Sequence, residues 1–316
     1  MSASRPSVLI TRRLPSSAMV ALEAQCDVEC PPGGTLSPDA LRTRIAKHDG
    51  LVCMLTDQID RRLLDAAPRL RVVSTVAVGY NNIDVAAARA RGIVVTHTPD
   101  VLTGATATLT WALILGITRR MGEGERLVRR GAWTGWAFDQ LLGTEVHGRQ
   151  LGIVGAGRIG RAVAAVAPAF GMRVAFAARD GREVPGGVSL PLERLLATSD
   201  VVSLHVPLTP ETTHLIDQTA LARMKRSAYL VNTSRGPVVD EAALVWALER
   251  GIIAGAALDV FEREPAVTPG LLALDNVLVL PHLGSATVET RTAMSELAVR
   301  NVLAVLGGAP APTPVP

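Results

Sequence analysis

From residue 150 onward, six short apolar runs recur at nearly even intervals: LGIV (151–154), RVAFAA (173–178), VVSLHV (201–206), AYLVN (228–232), AGAALDV (254–260) and VLVL (277–280). Helical patterns lie between them, such as RAVAAVAPAF after Gly160 and EAALVWALER after Asp240. A strand that is apolar along its whole length needs cover on both faces. Strands alternating with helices provide that cover as a parallel sheet flanked by helices. Six strands in this rhythm predict one doubly wound α/β domain. The first hundred residues repeat the rhythm with SVLIT (7–11), GLVCML (50–55), RVVSTVAV (71–78) and GIVVT (92–96), which predicts a second, smaller α/β domain. Segment 286–306 has helical spacing, and the closing GGAPAPTPVP reads as a Pro/Gly-rich end without packed structure.

The 316 residues suit two domains of ordinary size, and 48% hydrophobic with 19% charged residues describes a well-buried globular chain. The formal charge is +3; lysine occurs only at Lys47 and Lys225, and the arginines are scattered. A nucleic-acid footprint would be a dense basic stripe interleaved with aromatics, whereas aromatics are 3% here. A small anionic ligand fits better, and no nucleic-acid partner is expected. Cys26, Cys30 and Cys53 are an odd set without a second paired motif, which argues against a disulfide framework and a metal site. The apolar run in MSASRPSVLITRR is too short for a signal peptide. The stretch Leu102–Thr118 is interrupted by threonines and stops at Arg119-Arg120, so it reads as a buried helix rather than a membrane span. A cytoplasmic protein without a membrane partner is expected.

After LGIV comes Gly155-Ala156-Gly157-Arg158-Ile159-Gly160 and then a helical pattern. A GxGxxG string between a strand and a helix is a strong sign of dinucleotide binding. Gly155 permits the tight turn, Gly157 lets a pyrophosphate approach the backbone, and Gly160 lets helix and strand pack closely. The amides at the helix start hold the phosphates. An acid at the end of the next strand would bind the ribose hydroxyls of NAD(H). Here Ala178 precedes Arg179, so a 2′-phosphate meets no repelling carboxylate and finds a guanidinium, with Arg182 in reserve. This favours NADP(H). NAD(H) stays open because Asp180 can take the ribose role or neutralise Arg179.

Three strand ends then release ionisable residues. VNTSRGPVVDE (231–241) places Arg235 in a turn made by Gly236-Pro237, ALDVFEREP (257–265) places Glu264 before Pro265, and NVLVLPHLGS (276–285) places His282 after Pro281. Each alone reads more readily as a surface charge. Three at matching carboxyl ends of consecutive strands occupy the edge where doubly wound sheets bind ligands.

The motifs LGIVGAGRIG, VVSLHVPLTPETTHLI, YLVNTSRGPVVDEAAL, GAALDVFEREP and LVLPHLGSAT resemble those of the D-2-hydroxyacid dehydrogenase family, and the resemblance runs from about residue 7 to 306. It implies a Rossmann nucleotide domain, residues 99–285, inserted into a flavodoxin-like substrate domain made of 1–98 and 286–316. It also implies a homodimer built through the nucleotide domain. Arg235 would grip the carboxylate of a small 2-oxo or 2-hydroxy acid, and His282 would give its carbonyl oxygen a proton as a nicotinamide delivers hydride. Glu264 would hold the other imidazole nitrogen. A carboxylate next to an imidazole favours the protonated ring and sets its orientation. Pro281 would pin the backbone so that the ring enters the cleft. Further cofactor contacts implied are Thr106, Arg158, Ile159, His205, Pro207, Thr233, Asp259 and Gly284, although Asp259 also reads as a capping acid at a strand end. In the substrate domain, TVAVGYNNID (75–84) resembles the family's carboxylate-binding loop, with Val78 and Gly79 offering amides and Leu55 forming pocket wall.

TPDVLTGATATLTWALIL together with GAWTGWAFDQLLG is most similar to the glyoxylate/hydroxypyruvate reductases. Thr108 stands where many relatives carry an acid. No long C-terminal regulatory domain follows, and Glu264 stands where formate dehydrogenases of the family carry Gln. The reading is an NADPH-dependent reductase of glyoxylate or hydroxypyruvate. Its rivals are an NAD-linked dehydrogenase of another D-2-hydroxy acid and a nucleotide-sensing, co-repressor-like binding protein.

Overall fold

The computed structural model describes residues 5–32, 36–177 and 184–316. The chain divides into two compact units, Met1–Leu102 with Ser285–Pro316, and Thr103–Gly284.

The first unit holds β1 (Ser7–Ile10), β2 (Asp27–Glu29), β3 (Gly50–Cys53), β4 (Val72–Thr75) and β5 (Val94–Thr96) in the order β2-β1-β3-β4-β5. Every ladder is parallel. This is the flavodoxin-like order. Successive side chains of a strand point to opposite faces, so each strand serves two cores. Val8, Ile10, Val52 and Val72 pack with Ala298, Val299 and Val302 of the C-terminal helix Val288–Leu306. Leu9, Leu51, Val73 and Val95 pack with Leu41, Ile45, Leu63 and Ala87 on the other side. Strand β2 was not expected from the sequence. Its DVE sequence is half exposed at the sheet edge and has no apolar run to announce it.

The C-terminal segment departs from expectation as well. Val315 is buried and donates to the carbonyl of Val95 at 2.9 Å, and Pro314 bridges Thr96. The fully buried Asn301 takes the Thr313 N–H on Oδ1 at 2.9 Å and donates to Thr313 Oγ1 at 2.8 Å. Prolines fix the backbone and so reduce the entropy lost on packing. A Pro-rich tail can therefore dock once a neighbouring strand and a buried amide offer partners.

The second unit holds β6 (Gln150–Val154), β7 (Arg173–Ala177), β8 (Val188–Ser189), β9 (Val201–Leu204), β10 (Tyr229–Asn232), β11 (Gly255–Leu258) and β12 (Val277–Val279). Their order is β12-β11-β10-β9-β6-β7-β8, again with parallel ladders. Counted from β6 this is the Rossmann order 3-2-1-4-5-6 with a seventh strand added. The sequence rhythm predicted six strands; the extra one, β8, is a two-residue edge strand too short to leave a pattern. The direction of winding reverses between β6 and β9. The helix Thr103–Thr118 buries Trp111, Leu113, Ile114 and Ile117 against this sheet, and Thr110 and Thr118 donate their hydroxyls to the carbonyls of Thr106 and Ile114 at 2.8 Å. Among the described residues no helix is long and apolar enough to cross a membrane.

Deleting residues 311–316 removes both hydrogen bonds between Asn301 and Thr313, leaving its Oδ1 without the Thr313 N–H and its Nδ2 with the 3.4 Å contact to the His97 carbonyl. A buried amide left unpaired costs about 1–3 kcal/mol, so the urea midpoint is expected to fall; an unchanged midpoint would show that the tail adds nothing to the first unit.

Candidate active site

The turn after β6 occupies the point where the winding reverses. Gly155 has φ +100°, and a Cβ there would stand 2.7 Å from the carbonyl carbon of His205. A Cβ on Gly160 would overlap the Gly155 carbonyl oxygen, so the helix Arg158–Val166 sits directly on the turn. Gly157 faces open space, and the helix starts there with no side-chain cap. Its first N–H groups lack intrahelical partners, as at every helix start, and point where an anion fits. These features suit a dinucleotide pyrophosphate. Arg158 is exposed and Ile159 half-buried in the first turn.

His205 closes the other side of the crevice. Its N–H donates to the Val154 carbonyl at 2.8 Å, and its Nε2 lies 2.9 Å from Ser203 Oγ. Burial alone lowers its pKa to about 3, so this ring is neutral at ordinary pH. Pro207 lies two residues on, with its carbonyl accepting from Thr212 Oγ1 at 2.7 Å. Arg179 and Arg182 lie outside the described residues, as do Ala178 and Asp180.

The loop after β10 is organised by Asn232, whose Oδ1 accepts from the N–H and hydroxyl of Ser234 while its Nδ2 donates to the Arg235 carbonyl at 3.0 Å. Arg235 is half-buried and donates to the Ser234 carbonyl at 2.7 Å. Burial pulls its guanidinium below the ordinary arginine value, against the pull of the Glu264 carboxylate. Gly236 then presses on the loop after β11: a Cβ there would overlap the Phe261 carbonyl. The Phe261 N–H donates to Glu264 Oε1 at 3.1 Å, and Glu264 Oε2 meets His282 Nδ1 at 2.8 Å. Burial raises the pKa of Glu264, but the hydrogen bond and charge of His282, the Phe261 N–H and the Arg235 charge outweigh it and leave it lowered.

His282 itself has φ +56°, the left-handed region that few non-glycine residues adopt. Three successive amides hold it there. The His282 N–H donates to the Asp259 carbonyl at 2.9 Å, Leu283 N–H to Asp259 Oδ1 at 2.6 Å, and Gly284 N–H to Asp259 Oδ2 at 2.8 Å. Asp259 is 1% exposed, and burial raises its pKa against the pull of these amides and of His282. Pro281 fixes only its own φ; the conformation of His282 is held by Asp259, a correction to the expectation placed on the proline. Thr106 Oγ1 donates to the Gly284 carbonyl at 3.1 Å, and Thr233 Oγ1 lies 3.0 Å from Thr110 Oγ1. Sequence reasoning passed over Asn232 and Thr110. The one signal for Thr110 was its place one helical turn after Thr106.

Leu55, Val78 and Gly79 belong to the first unit, beyond the carboxyl ends of β3 and β4. There Asp57 gathers the loops: its Oδ2 accepts from Thr11 Oγ1 at 2.5 Å and from the Met54 N–H at 2.7 Å, and Asn82 Nδ2 donates to the Asp57 carbonyl at 2.8 Å. His97 Nδ1 lies 2.9 Å from the Val78 carbonyl.

An imidazole tied to a carboxylate through one nitrogen can exchange a proton at the other, and a guanidinium can hold an anionic group close by. Beside a dinucleotide turn at a sheet switch point, this chemistry defines a nicotinamide-dinucleotide oxidoreductase. The sequence profile of the NAD binding domain of D-isomer specific 2-hydroxyacid dehydrogenases matches residues 111–284. The chain belongs to that family. It is 46% identical to a glyoxylate reductase of Thermofilum pendens, across 96% of this chain and 92% of the relative. A solved structure of a Thermus thermophilus protein superposes with a TM-score of 0.93 at 48% identity, covering 98% of this chain and 100% of that one. An NADPH-dependent glyoxylate/hydroxypyruvate reductase from Sinorhizobium meliloti, solved with NADP and malonate, superposes with a TM-score of 0.89 at 36% identity, covering 99% and 97%.

Asp259→Asn would turn an N–H₂ toward one of the two amides at 283 and 284. Two donors then face each other, at a cost of about 1–3 kcal/mol, and turnover should fall together with the unfolding midpoint. Full activity and an unmoved midpoint would show that the carboxylate does not hold the loop.

Proposed function

We propose that this protein is an NADPH-dependent reductase of small 2-oxo acids, converting glyoxylate to glycolate and hydroxypyruvate to D-glycerate. Residues 99–285 form its nucleotide domain and residues 1–98 with 286–316 its substrate domain. Gly155, Gly157, Gly160 and the amides that open the helix Arg158–Val166 hold the pyrophosphate, with Arg158 and Ile159 at its edge. Thr106, His205, Pro207, Thr233, Asp259 and Gly284 line the rest of the cofactor site. Arg179 and Arg182 receive the 2′-phosphate. When bound, NADPH supplies the hydride. Arg235 binds the substrate carboxylate, and Val78, Gly79 and Leu55 are the substrate contacts proposed for the first unit.

His282 donates a proton from Nε2 to the carbonyl oxygen. Glu264 holds Nδ1, so the ring keeps one orientation through the cycle and presents Nε2 to the substrate. After reduction the proton is restored from solvent. The observation that carries this reading is the 2.8 Å hydrogen bond between Glu264 and His282 at the carboxyl edge of the sheet. The names of the relatives, glyoxylate reductase and NADPH-dependent glyoxylate/hydroxypyruvate reductase, support the choice of substrate and cofactor.

The working form is a homodimer assembled through the nucleotide domain. Trp133, Trp136, Phe138 and Leu142 are 52%, 80%, 84% and 64% exposed in the segment after the helix Met121–Arg129. Aromatic residues grouped on a surface in this way favour a protein interface.

Purified protein is expected to oxidise NADPH with glyoxylate or hydroxypyruvate, followed by loss of nicotinamide absorbance. Silence with both cofactors and a panel of 2-oxo acids would leave the nucleotide-sensing alternative. His282→Ala should bind NADPH normally and lose about 10²–10⁴-fold in turnover. Arg179→Ala should weaken NADPH much more than NADH, and an equal loss would remove the 2′-phosphate role.

Acid titration offers a further check. The pKa of Glu264 is lowered from its ordinary 4.5 in the folded protein. Its contribution to stability is therefore full above about pH 4.5 and disappears as pH falls through the folded value. The stability gap between wild type and Glu264→Gln should close on acidification; a gap independent of pH would mean that no ionised pair forms.

A further inference from the structure

We propose that Glu241, which lies outside the substrate and cofactor contacts above, is a positioning residue for the Glu264–His282 pair. The inference rests on the role given to that pair. Glu241 is 3% exposed and begins the helix Glu241–Glu249, whose cap is supplied by Asp240 taking the Ala243 N–H at 2.9 Å. The helix start is thus already capped, and the Glu241 carboxylate turns to the loop that follows β11. Its Oε1 accepts from the Glu262 N–H at 2.7 Å, and its Oε2 accepts the hydroxyl of Thr268. In return the Glu241 N–H donates to Glu262 Oε1 at 3.2 Å, an atom that also meets His214 Nε2 at 2.9 Å.

One side chain therefore holds the loop at 262 and at 268, and Glu264 lies between those points. The Phe261 N–H gives Glu264 its backbone hydrogen bond, and the next peptide, from the Phe261 carbonyl to the Glu262 nitrogen, is pressed against Gly236. Among the described residues the Glu264 carboxylate takes one backbone N–H, that of Phe261 at 3.1 Å, so its direction toward His282 depends on how firmly the loop is held. A buried carboxylate without such partners would be costly. Here each of its oxygens contacts the segment that carries Glu264. Loss of the clasp lets that segment shift, and displacements of about 1 Å near reacting groups cost about 10²-fold in rate.

The test compares Glu241→Ala, Glu241→Gln, Thr268→Val and His282→Ala in the full-length protein with NADPH and glyoxylate. Folding is monitored by circular dichroism and thermal unfolding. Glu241→Ala should lower kcat by about 10- to 100-fold and leave the KM for NADPH within about twofold of wild type. Glu241→Gln should recover most of the rate, since its oxygen still accepts from Glu262 and its amide can donate to Thr268. A residue that served stability alone would lower the unfolding temperature but leave kcat per folded molecule in place. That result overturns the inference. Should the alanine variant not fold, Thr268→Val decides: about a threefold loss of kcat at an unchanged KM for NADPH supports the clasp, and wild-type behaviour rejects it. An active His282→Ala would sink the reading of the site and this inference together. An inactive His282→Ala beside an unaffected Glu241→Ala sinks this inference alone.

Discussion

Three successive amides, of His282, Leu283 and Gly284, converge on the single residue Asp259. That contact holds a histidine in left-handed backbone geometry at the end of β12 and turns its ring toward Glu264. Without it the conformation is disfavoured by the clash between Cβ and the neighbouring backbone that makes such geometry rare outside glycine. A buried carboxylate is itself costly, and the amides compensate for its lost hydration. Each group is thus unfavourable alone and stable only in the presence of the other. Around this contact, Thr106 secures the Gly284 carbonyl, and the β10 and β11 loops touch through Gly236.

The parallel sheet explains why these groups gather where they do. With every strand running the same way, all carboxyl ends open on one edge, and the reversal between β6 and β9 leaves a crevice there. The phosphate turn and the loops after β10, β11 and β12 all leave from that edge. Binding and acid–base chemistry can therefore share one region while their side chains come from segments more than a hundred residues apart. The neutral His205 and the ionised Glu264 illustrate how that edge sets charge by environment. One ring has burial as its dominant influence; the other group is buried as well, but has cationic and amide partners that reverse the effect.

Much of this was legible in the residues themselves. Continuous apolar runs such as VVSLHV and AYLVN announce strands covered on both faces, and GAGRIG announces a turn that bulkier side chains would block. Arg235, Glu264 and His282 stand out because each follows a strand and precedes or follows a turn-forming residue. The edge strands β2 and β8 were illegible because half-exposed short strands carry no hydrophobic signature. The tail was misjudged because proline-rich composition says nothing of a waiting amide such as Asn301.

Sequence alone determined the alternation of strands and helices, the dinucleotide turn, and which ionisable residues stand at the carboxyl ends of β10, β11 and β12. Local patterning suffices for these, since period, turn chemistry and spacing are properties of neighbouring residues. Only the tertiary structure decided that Asp259, not Pro281, holds His282, that Glu241 clasps the loop bearing Glu264, and that Asn232 and Thr110 brace the site. Such contacts join residues remote in the chain, and a hydrogen bond depends on distances and angles that spacing along the polypeptide does not contain.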